Sequence, residues 1–555
     1  MLEEVRRCGP PETRSNESAL CAVGNQPRHP LSRNNLVFLA ASVVVSLSLL
    51  AISRMQDCEL LVESSFLQRR FSTPLLNIRA KPSDGAFKFS AAPKVLLIHG
   101  LAASKSTLIQ MGSELARWGF DCLLMDLPGH GASVETFSRR AALEAVEEVA
   151  TELVAGSVQL SAGRPIVILI GHSFGAGLAI EAGRKNPQIG AVVAISPPGE
   201  TLNRKEPPRL LVLLGEFDFP FVRRGAAFLY EAATGTRLPL LDKPGSWQNP
   251  ENTRRLVVLP WTDHTQGIFS PRSLSEIRSW LARISPETRR TAFAPWKFWL
   301  RVRLRALLCL SQLVLWIPLV ALLGDWLRVR PDVEQATASV DLAVGQGLFP
   351  LWIYAAAGGA ATFVLLAFNP WKSLHLMGGA YLTGFLFIAG ALGCALTRPV
   401  LQEIRCSGRS AGFSLLAVLI LLGSVAPFVT SHFVHLELLL HRLWRFPWIA
   451  ASVLPFYLFD EWVCRRRLQE LGWIRLTLFH LSTRLVLTMI LLLGFFVFKN
   501  SQFLIVLVLP GLLLTSFLCW CFAGWICRRT GSVAASTLFS TLTTAWFFSV
   551  FFNQT

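Results

Sequence analysis

Two kinds of hydrophobic pattern divide this chain. Between residues 90 and 285, short apolar runs of four to six residues alternate with amphipathic stretches. Between residues 305 and 551, the apolar runs are much longer and few charges interrupt them. Short continuous apolar runs that alternate with helices are typical of a parallel sheet covered on both faces. Runs of about 20 apolar residues have the length that crosses a bilayer. The pattern therefore predicts an α/β domain followed by a helical membrane domain.

Six short apolar runs are predicted to be strands of one mostly parallel sheet. They are residues 95–98, 122–125, 165–170, 191–195, 210–214 and 256–259. Helices are predicted between them, including 108–115 and 139–155. In sheets of this type, functional loops gather at the carboxyl ends of the strands. The residues that directly follow each run are therefore the first candidates for chemistry.

Changes in the pattern divide the chain into six parts. They are a polar tail (1–34), a transmembrane anchor (35–53), a linker (54–90) with a hairpin at 86–89, an α/β domain (91–285), a basic amphipathic linker (286–305) and a polytopic transmembrane domain (306–555). The anchor follows Arg28 and Arg33 and shows no cleavage pattern before Arg54, so an uncleaved helix is predicted rather than a signal peptide.

The transmembrane domain contains about eight apolar segments. They lie near 306–324, 347–368, 375–397, 411–431, 447–463, 484–498, 502–526 and 532–551. The loops on one side carry Arg328, Arg330, Arg398, Arg405, Arg409, Arg465, Arg466, Arg467, Arg475, Arg484, Arg528 and Arg529, and the other side carries Lys372, Arg442, Arg445 and Lys499. Positively charged loops favour the cytoplasm, so the α/β domain of this multi-pass protein is predicted on the non-cytoplasmic face. Adding the basic stretch 297–305 to the poorer side nearly removes the difference.

The composition excludes several function classes. The net charge of +17 does not indicate nucleic-acid binding, because the arginines cluster beside hydrophobic segments, where they set topology and contact anionic headgroups. The 11 cysteines include no C-x-x-C pair and no spacing typical of metal ligands. Neither a disulfide framework nor a zinc site is indicated, and no metal or organic cofactor is predicted.

The strongest chemical signal is the motif G-x-S-x-G at residues 171–175, which directly follows the predicted strand 165–170. A buried strand that enters this motif and continues into a helix is typical of a nucleophile elbow, in which glycines permit a sharp turn that exposes the serine hydroxyl. Ser173 is therefore the candidate nucleophile. The motif also occurs by chance, and a purely structural role is the alternative.

A serine hydroxyl needs a positioned base, and the base needs a carboxylate that fixes its tautomer. Asp218 follows the predicted strand 210–214, and His264 follows the predicted strand 256–259. The chain order Ser, Asp, His is one that serine hydrolases use. Glu216 is the competing acid, and Asp263 is interpreted as a solvated neighbour. The sequence therefore predicts a catalytic triad of Ser173, Asp218 and His264.

Residues 93–283 resemble the α/β-hydrolase superfamily. The resemblance rests on Leu97-Ile98-His99-Gly100, on the segment 126–133 (DLPGHGAS), on the elbow, and on the loops that carry Asp218 and His264. It implies an α/β-hydrolase fold in which the backbone N–H groups of Leu101 and Phe174 form an oxyanion hole. It also implies structural roles for His99, His130 and His172.

Residues 440–555 resemble the CAAX-protease-like intramembrane glutamic endopeptidases. The resemblance rests on Asp460-Glu461, followed four residues later by Arg465, and on the segment 528–533. That family needs histidines on later helices, and no histidine follows His480 in this chain. Interfacial ion pairs are the alternative interpretation of the acidic pair. We therefore predict that this half has no activity of its own.

Together these patterns predict a membrane-anchored serine hydrolase that cleaves a carboxylic ester, thioester or amide through an acyl-enzyme. Its expected substrate is a small-molecule or lipid acyl compound. One alternative is a membrane ligand-binding or transport-like protein whose hydrolase-like domain is not catalytic. Another is an intramembrane protease in the C-terminal half.

Overall fold

A computed structural model describes residues 33–81, 92–156, 167–199, 207–238, 241, 243–251, 253–285, 293–329, 349–397, 406–468, 471–497 and 503–555. Most of the predicted polar tail and the predicted hairpin at 86–89 lie outside these residues.

Nine strands form one sheet in the described part of the chain. They are β1 (Leu60–Gln68), β2 (Ser72–Ala80), β3 (Lys94–Ile98), β4 (Asp121–Met125), β5 (Val167–His172), β6 (Ile189–Ile195), β7 (Leu210–Gly215), β8 (Gly245–Gln248) and β9 (Arg254–Leu259). Their order is β1-β2-β4-β3-β5-β6-β7-β9-β8. The six predicted strands, β3 to β7 and β9, pair in parallel, whereas β1, β2 and β8 add antiparallel edges. The predicted mostly parallel sheet is confirmed.

Among the residues that the structure describes, five helices cover the sheet: α2 (Ile109–Arg117), α3 (Arg139–Ala155), α4 (Phe174–Lys185), α5 (Pro220–Thr234) and α6 (Pro271–Ile284). Helices α3, α4 and α5 pack on one face, and α2 and α6 pack on the other. Successive side chains of a strand point to opposite faces. In β3, Leu96 and Ile98 therefore enter one apolar cluster, while Val95 and Leu97 enter the other. Burial on both faces explains why the predicted strands are continuously apolar.

Strands β1 and β2 lie in the stretch that the sequence assigns to a linker. β2 is largely buried and pairs with β4 from Leu75 to Ile78, so the sheet begins at Leu60 rather than after residue 91. β1 is mostly exposed and polar, and Pro74 interrupts the apolar pattern of β2. Polar residues are typical of an edge strand such as β1. Together with the proline in β2, they hide the two strands from pattern analysis.

Nine further helices in the described residues form a bundle, a name we use for α1 together with α7 to α14. They are α1 (Arg33–Gln56), α7 (Pro295–Trp326), α8 (Phe349–Ala367), α9 (Gly379–Leu396), α10 (Gly408–Thr430), α11 (Arg445–Trp462), α12 (Trp473–Phe496), α13 (Phe503–Thr530) and α14 (Val533–Phe551). Eight of these described helices are long and apolar enough to cross a membrane. The exception is α11, whose 18 residues include Arg445, Asp460 and Glu461. The length and composition of these helices indicate a multi-pass membrane protein.

Helix α7 begins inside the predicted basic linker and joins the bundle to the α/β domain. Phe298 is buried in the apolar cluster under α2 and α6. One turn further on, Arg301 forms an ion pair of 2.5 Å with Glu114 of α2. After another turn, Arg305 binds both carboxylate oxygens of Asp57, at 2.7 and 2.6 Å. The first ten residues of α7 thus belong structurally to the α/β domain.

The two ends of the bundle have different partners. At one end, the loop 431–444 and the residues after α14 contact the α/β domain. At the opposite end, Asp325 of α7 accepts hydrogen bonds from Asn35 of α1 and Arg529 of α13. Helix α11 also runs from one end toward the other. Arg442, just before it, binds the carbonyl of Val550 at the end of α14, whereas Glu461, near its own end, accepts from Ser540 earlier in α14.

Candidate active site

Ser173 lies in the sharp turn between β5 and α4. Its backbone has φ +52° and ψ −119°, a region that residues with a side chain rarely adopt. The neighbouring glycines are required by close packing. A Cβ atom on residue 171 would lie 2.2 Å from the carbonyl oxygen of Gly175, and one on residue 175 would lie 2.4 Å from that of His99. The geometry is that of a nucleophile elbow, and it explains each fixed position of the motif.

His264 connects the serine to an acid. Its Nε2 atom lies 2.9 Å from Oγ of Ser173, and its Nδ1 atom lies 2.7 Å from Oδ1 of Asp218. A carboxylate can only accept, so Nδ1 carries the proton and Nε2 is free to accept from the serine hydroxyl. The rings of His172 and Phe219 each lie 5.2 Å from the imidazole and hold it from two sides. The structure thus brings together all three residues of the predicted triad.

Asp218 is buried, yet it is held in the ionised form. Burial raises the pKa of its carboxyl group, but the hydrogen bond and the charge of His264 lower it by more. The backbone N–H of Phe219, 2.9 Å from Oδ1, also lowers the pKa. The net shift is downward, so the acid is a carboxylate at neutral pH and can stabilise an imidazolium at His264.

The competing acid, Glu216, has a different partner. Its carboxylate accepts a hydrogen bond of 2.9 Å from the backbone N–H of Trp261. Asp263 accepts from the backbone N–H groups of Thr265 and Gln266, both at 2.8 Å, and thereby fixes the turn that follows it. Neither carboxylate is the hydrogen-bond partner of the imidazole, and Asp263 has a local structural role.

Three other histidines near the site are buried and neutral. Burial lowers the pKa of His172 to about 4 and that of His130 to about 3, and it also lowers the pKa of His99. Nε2 of His172 lies 2.8 Å from the carbonyl oxygen of His264, and Nε2 of His99 accepts from the backbone N–H of Leu127 at 3.1 Å. These contacts join His172 and His99 to backbone groups of neighbouring loops.

The two predicted oxyanion donors flank the serine in different elements. Phe174 is the first residue of α4. The first N–H groups of a helix have no acceptor within the helix, and the positive end of the helix dipole lies there. Leu101 lies in the turn after β3, and its side chain packs against the apolar core of the bundle. An anion bound beside Ser173 would meet the N-terminus of α4.

Asp126 is a buried carboxylate whose role the sequence did not reveal, although it begins the motif D-L-P-G-H-G. It forms an ion pair with Lys105 and accepts from the backbone N–H groups of Lys105 (2.7 Å) and Ala132 (2.9 Å). Burial raises the pKa of Asp126, but Lys105, His99 and the backbone N–H of Ala132 together lower it by more. The carboxylate therefore ties the loop after β3 to the loop after β4, beside the site.

The bundle holds the same two loops, a contact that no local sequence pattern signals. The backbone N–H of residue 554 donates to the carbonyl of Gly129 at 2.9 Å, and that of Phe137 donates to the carbonyl of Gln554 at 2.7 Å. The ring of Phe137 in turn packs 5.5 Å from that of Phe174. The helical part of the chain is thus one wall of the candidate site.

The acidic pair of the bundle is buried rather than interfacial. Asp460 forms an ion pair of 2.6 Å with Arg484 and accepts a hydrogen bond of 2.6 Å from Tyr354. Glu461 pairs with Arg465 at 3.1 Å and accepts from Ser540, also at 3.1 Å. Both acids lie inside the bundle. The acidic residues thus form ion pairs, as in the alternative interpretation, but the pairs lie inside the bundle and not at the membrane interface.

One group of side chains in the described part of the bundle has the composition of a metal site. The ligand atoms of Asp460, Cys464 and His480 lie within 4.8 Å of one another. Both terminal nitrogens of Arg484 donate hydrogen bonds to the carboxylate of Asp460, at 3.0 and 2.6 Å. A permanent cation at this distance repels a divalent ion. These residues therefore do not fit a metal site.

Comparison with known proteins agrees with the fold. A model of the alpha/beta hydrolase family matches residues 95–369. This region belongs to that family. The match covers the hydrolase domain from β3 to α6 and extends through α7 and α8 of the bundle. No curated protein matches the chain.

Solved structures of hydrolases resemble the chain only distantly. An esterase of Pyrococcus furiosus is 17% identical, with 41% of this chain and 94% of that chain covered and a TM-score of 0.31. A putative dienelactone hydrolase of Klebsiella pneumoniae is 15% identical, with coverage of 40% and 97% and a TM-score of 0.31. A membrane phospholipase A is 16% identical, with coverage of 45% and 96% and a TM-score of 0.29. The resemblance of residues 440–555 to CAAX-protease-like enzymes has no support in these comparisons and stays a prediction.

Proposed function

We propose that this hydrolase is a membrane-anchored serine enzyme that cleaves a carboxylic ester, thioester or amide through an acyl-enzyme. The observation that carries the proposal is the continuous path from Oγ of Ser173 through the imidazole of His264 to the carboxylate of Asp218, with steps of 2.9 and 2.7 Å. These distances permit proton transfer. The position of Ser173 in the elbow, where the residue is only partly buried, supports the same role.

In the first half of the reaction, Oγ of Ser173 attacks the carbonyl carbon of the substrate while Nε2 of His264 takes the hydroxyl proton. The negative charge that develops on the carbonyl oxygen faces the N–H groups of Leu101 and Phe174. Donors aimed at this position contribute about 3–4 kcal/mol of transition-state stabilisation. The imidazolium then gives its proton to the leaving group, and the acyl group remains on Ser173.

In the second half, water replaces the leaving group. Nε2 of His264 takes a proton from the water as its oxygen attacks the acyl carbon, and the proton returns to Oγ of Ser173 when the acid product leaves. Asp218 stays ionised throughout and stabilises the imidazolium of both steps. The reaction consumes one water and requires no cofactor.

The proposal includes a location for the hydrolase domain. The bundle end opposite to this domain carries Arg328, Arg409, Arg475 and Arg528, which are among the described arginines of the basic loops. Positively charged loops favour the cytoplasm. The hydrolase domain therefore lies on the non-cytoplasmic face, and the catalytic site works beside the outer surface of the membrane.

Labelling with a fluorophosphonate probe tests the mechanism on the full chain in detergent. The wild type is expected to form a covalent adduct, and Ser173→Ala is expected to lose it, because the probe reacts only with an activated serine. Cys122→Ser, at a buried position away from the site, serves as a control that keeps the label. Equal labelling of wild type and Ser173→Ala, or none in either, would instead support a non-catalytic ligand-binding domain.

A further inference from the structure

Four large aromatic side chains are exposed around the loops that carry Asp218 and His264. We call Phe217, Phe221, Phe228 and Trp261 the aromatic rim. Phe217 is 59% exposed and Trp261 is 76% exposed, and their rings are in contact at 6.0 Å. Exposed apolar patches of this kind mark sites of interaction on soluble domains.

The aromatic rim leads directly to the catalytic residues. The ring of Phe219 lies 5.2 Å from that of His264, and it stacks on the ring of Phe221 at 5.6 Å. Trp261 has φ +56°, a conformation that is strained for a bulky residue, and Glu216 accepts from its backbone N–H. The loop is thus fixed in a shape that keeps the indole outside the protein.

Helix α5 adds a polar group to the same surface. Phe221, Arg224 and Phe228 follow one another at intervals of three and four residues, so they lie on one face of the helix. All three are exposed. An exposed helix face that combines aromatic rings with an arginine is typical of a membrane surface, where rings enter the headgroup region and cations meet anionic lipids.

The length of α7 indicates where the bilayer begins. Its 32 residues include ten that pack along the hydrolase domain before Arg305. The remaining residues, 305–326, span about 33 Å, which matches the thickness of the hydrocarbon core. Arg305 therefore marks the boundary between the bilayer and the hydrolase domain.

The loop that carries His264 lies near this boundary. Gln110 binds the side chain of Arg305 and also donates to the carbonyl of His432 at 3.1 Å. The next residue, Phe433, contacts the ring of Phe269 at 6.4 Å. Phe269 ends the short turn that follows His264. The catalytic loop and the start of the membrane are therefore neighbours.

We propose that the aromatic rim inserts into the headgroup region of the bilayer and that the substrate of Ser173 is an acyl lipid resident in that bilayer. The proposal rests on the serine hydrolase function proposed above. A lipid ester lies at headgroup depth, so its carbonyl would reach Ser173 without the acyl chains leaving the membrane. The bilayer is favoured over a protein partner because the rim lies beside the membrane boundary and combines tryptophan, phenylalanine and arginine.

The test compares two substrates of the full chain in nanodiscs that contain phosphatidylcholine and phosphatidylglycerol. One is a short water-soluble ester, p-nitrophenyl butyrate, and the other is a fluorogenic phospholipid in the disc. Phe217→Ser combined with Trp261→Ser is expected to lower lipid hydrolysis by about tenfold or more while changing butyrate hydrolysis less than about twofold, because only the lipid must be reached from the bilayer.

Phe66→Ser is the matched control. Phe66 is also a phenylalanine with 59% exposure, but it lies on β1, at the opposite edge of the sheet from β8 and β9. Phe66→Ser is expected to hydrolyse both the butyrate ester and the phospholipid as fast as the wild type. Equal losses on both substrates in the rim variant would overturn the proposal, as would unchanged lipid hydrolysis.

A second measurement does not depend on catalysis. A photo-cross-linking residue in place of Trp261 is expected to form adducts with phospholipid in the nanodisc, detected by mass spectrometry. Absence of lipid adducts, or adducts with protein alone, would overturn the rim proposal. Lipid adducts without hydrolysis of either ester by the wild type would leave the rim as a membrane contact but would refute the substrate and the proposed function.

Discussion

At the scale of single residues, hydrogen-bond partners distinguish His264 from the other buried histidines of the domain. His264 has a carboxylate on one nitrogen and the serine hydroxyl on the other. The ring of His172 contacts that of His264, and the ring of His130 contacts that of His99; each of the two hydrogen-bonds to a backbone carbonyl instead. Burial lowers their pKa values to about 4 and about 3, so both are neutral at pH 7.

Replacing Asp218 by asparagine is expected to lower kcat/KM by about 10³–10⁴-fold, since an amide would favour the wrong tautomer of His264. The matched control is Glu216→Gln, two residues earlier, whose carboxylate contacts the backbone of Trp261 instead. This control is expected to keep hydrolysis of a soluble ester within about threefold of the wild type. Ester hydrolysis and fluorophosphonate labelling measure both variants. Comparable losses in the two would contradict the assignment of the acid.

Acid sensitivity provides a test of the buried histidines. Because their pKa values are lowered, the unfolded chain binds more protons than the folded chain below pH of about 6.5, so stability falls as the pH drops from 6.5 toward 4. For His130 the full effect is several kcal/mol by order of magnitude. His130→Asn is expected to show a smaller fall in melting temperature between pH 7 and pH 5 than the wild type. An identical fall would show that this residue is not buried in the neutral form.

At the scale of elements, the site depends on how β5 enters α4. The strand is buried on both faces, and the backbone reverses within one residue at a positive φ. Helix α4 can pack so closely only because two positions lack a side chain. Gly171 leaves room for the carbonyl oxygen of Gly175, and Gly175 leaves room for that of His99. The strain at Ser173 is stored in this junction and held there by the packing of both elements.

Substituting Gly175 by alanine is expected to destabilise the hydrolase domain by about 1–3 kcal/mol and to reduce labelling of Ser173, because the added Cβ would overlap a fixed carbonyl. Gly412→Ala is the matched control. It is also a helical glycine, in α10, and an added Cβ there would meet nothing within 4 Å. Thermal unfolding in detergent measures both. If Gly412→Ala lost as much stability as Gly175→Ala, overlap of the added Cβ with a carbonyl would not be the cause of the loss.

At the scale of the whole molecule, the bundle and the hydrolase domain form one structural unit. Asp126 joins the loops after β3 and β4, which border the site. The bundle holds the same loops, because Gln554 hydrogen-bonds to Gly129 and His435 to Ser104. The bundle therefore also holds the loops at the end of the sheet where Ser173, Asp218 and His264 lie.

Two exposed native cysteines report on the orientation of this unit. Cys58 lies after α1, next to the hydrolase domain, and Cys406 lies before α10, at the opposite end of the bundle. In intact cells, a membrane-impermeant maleimide is expected to label Cys58 and to reach Cys406 only after permeabilisation. The variants Cys58→Ser and Cys406→Ser identify each signal. The reverse pattern would place the hydrolase domain in the cytoplasm.

The sequence by itself determined the elements whose physics is local. Continuous apolar runs specified the six parallel strands and the membrane helices, and the motif around Ser173 specified the elbow, because burial and turn geometry leave marks on neighbouring residues. Tertiary structure alone decided the antiparallel strands β1 and β2, the pairing of Arg484 with Asp460 and the contact between the bundle and the loops beside the site. Those features join residues that are distant in sequence, and such pairings leave no periodic pattern along the chain.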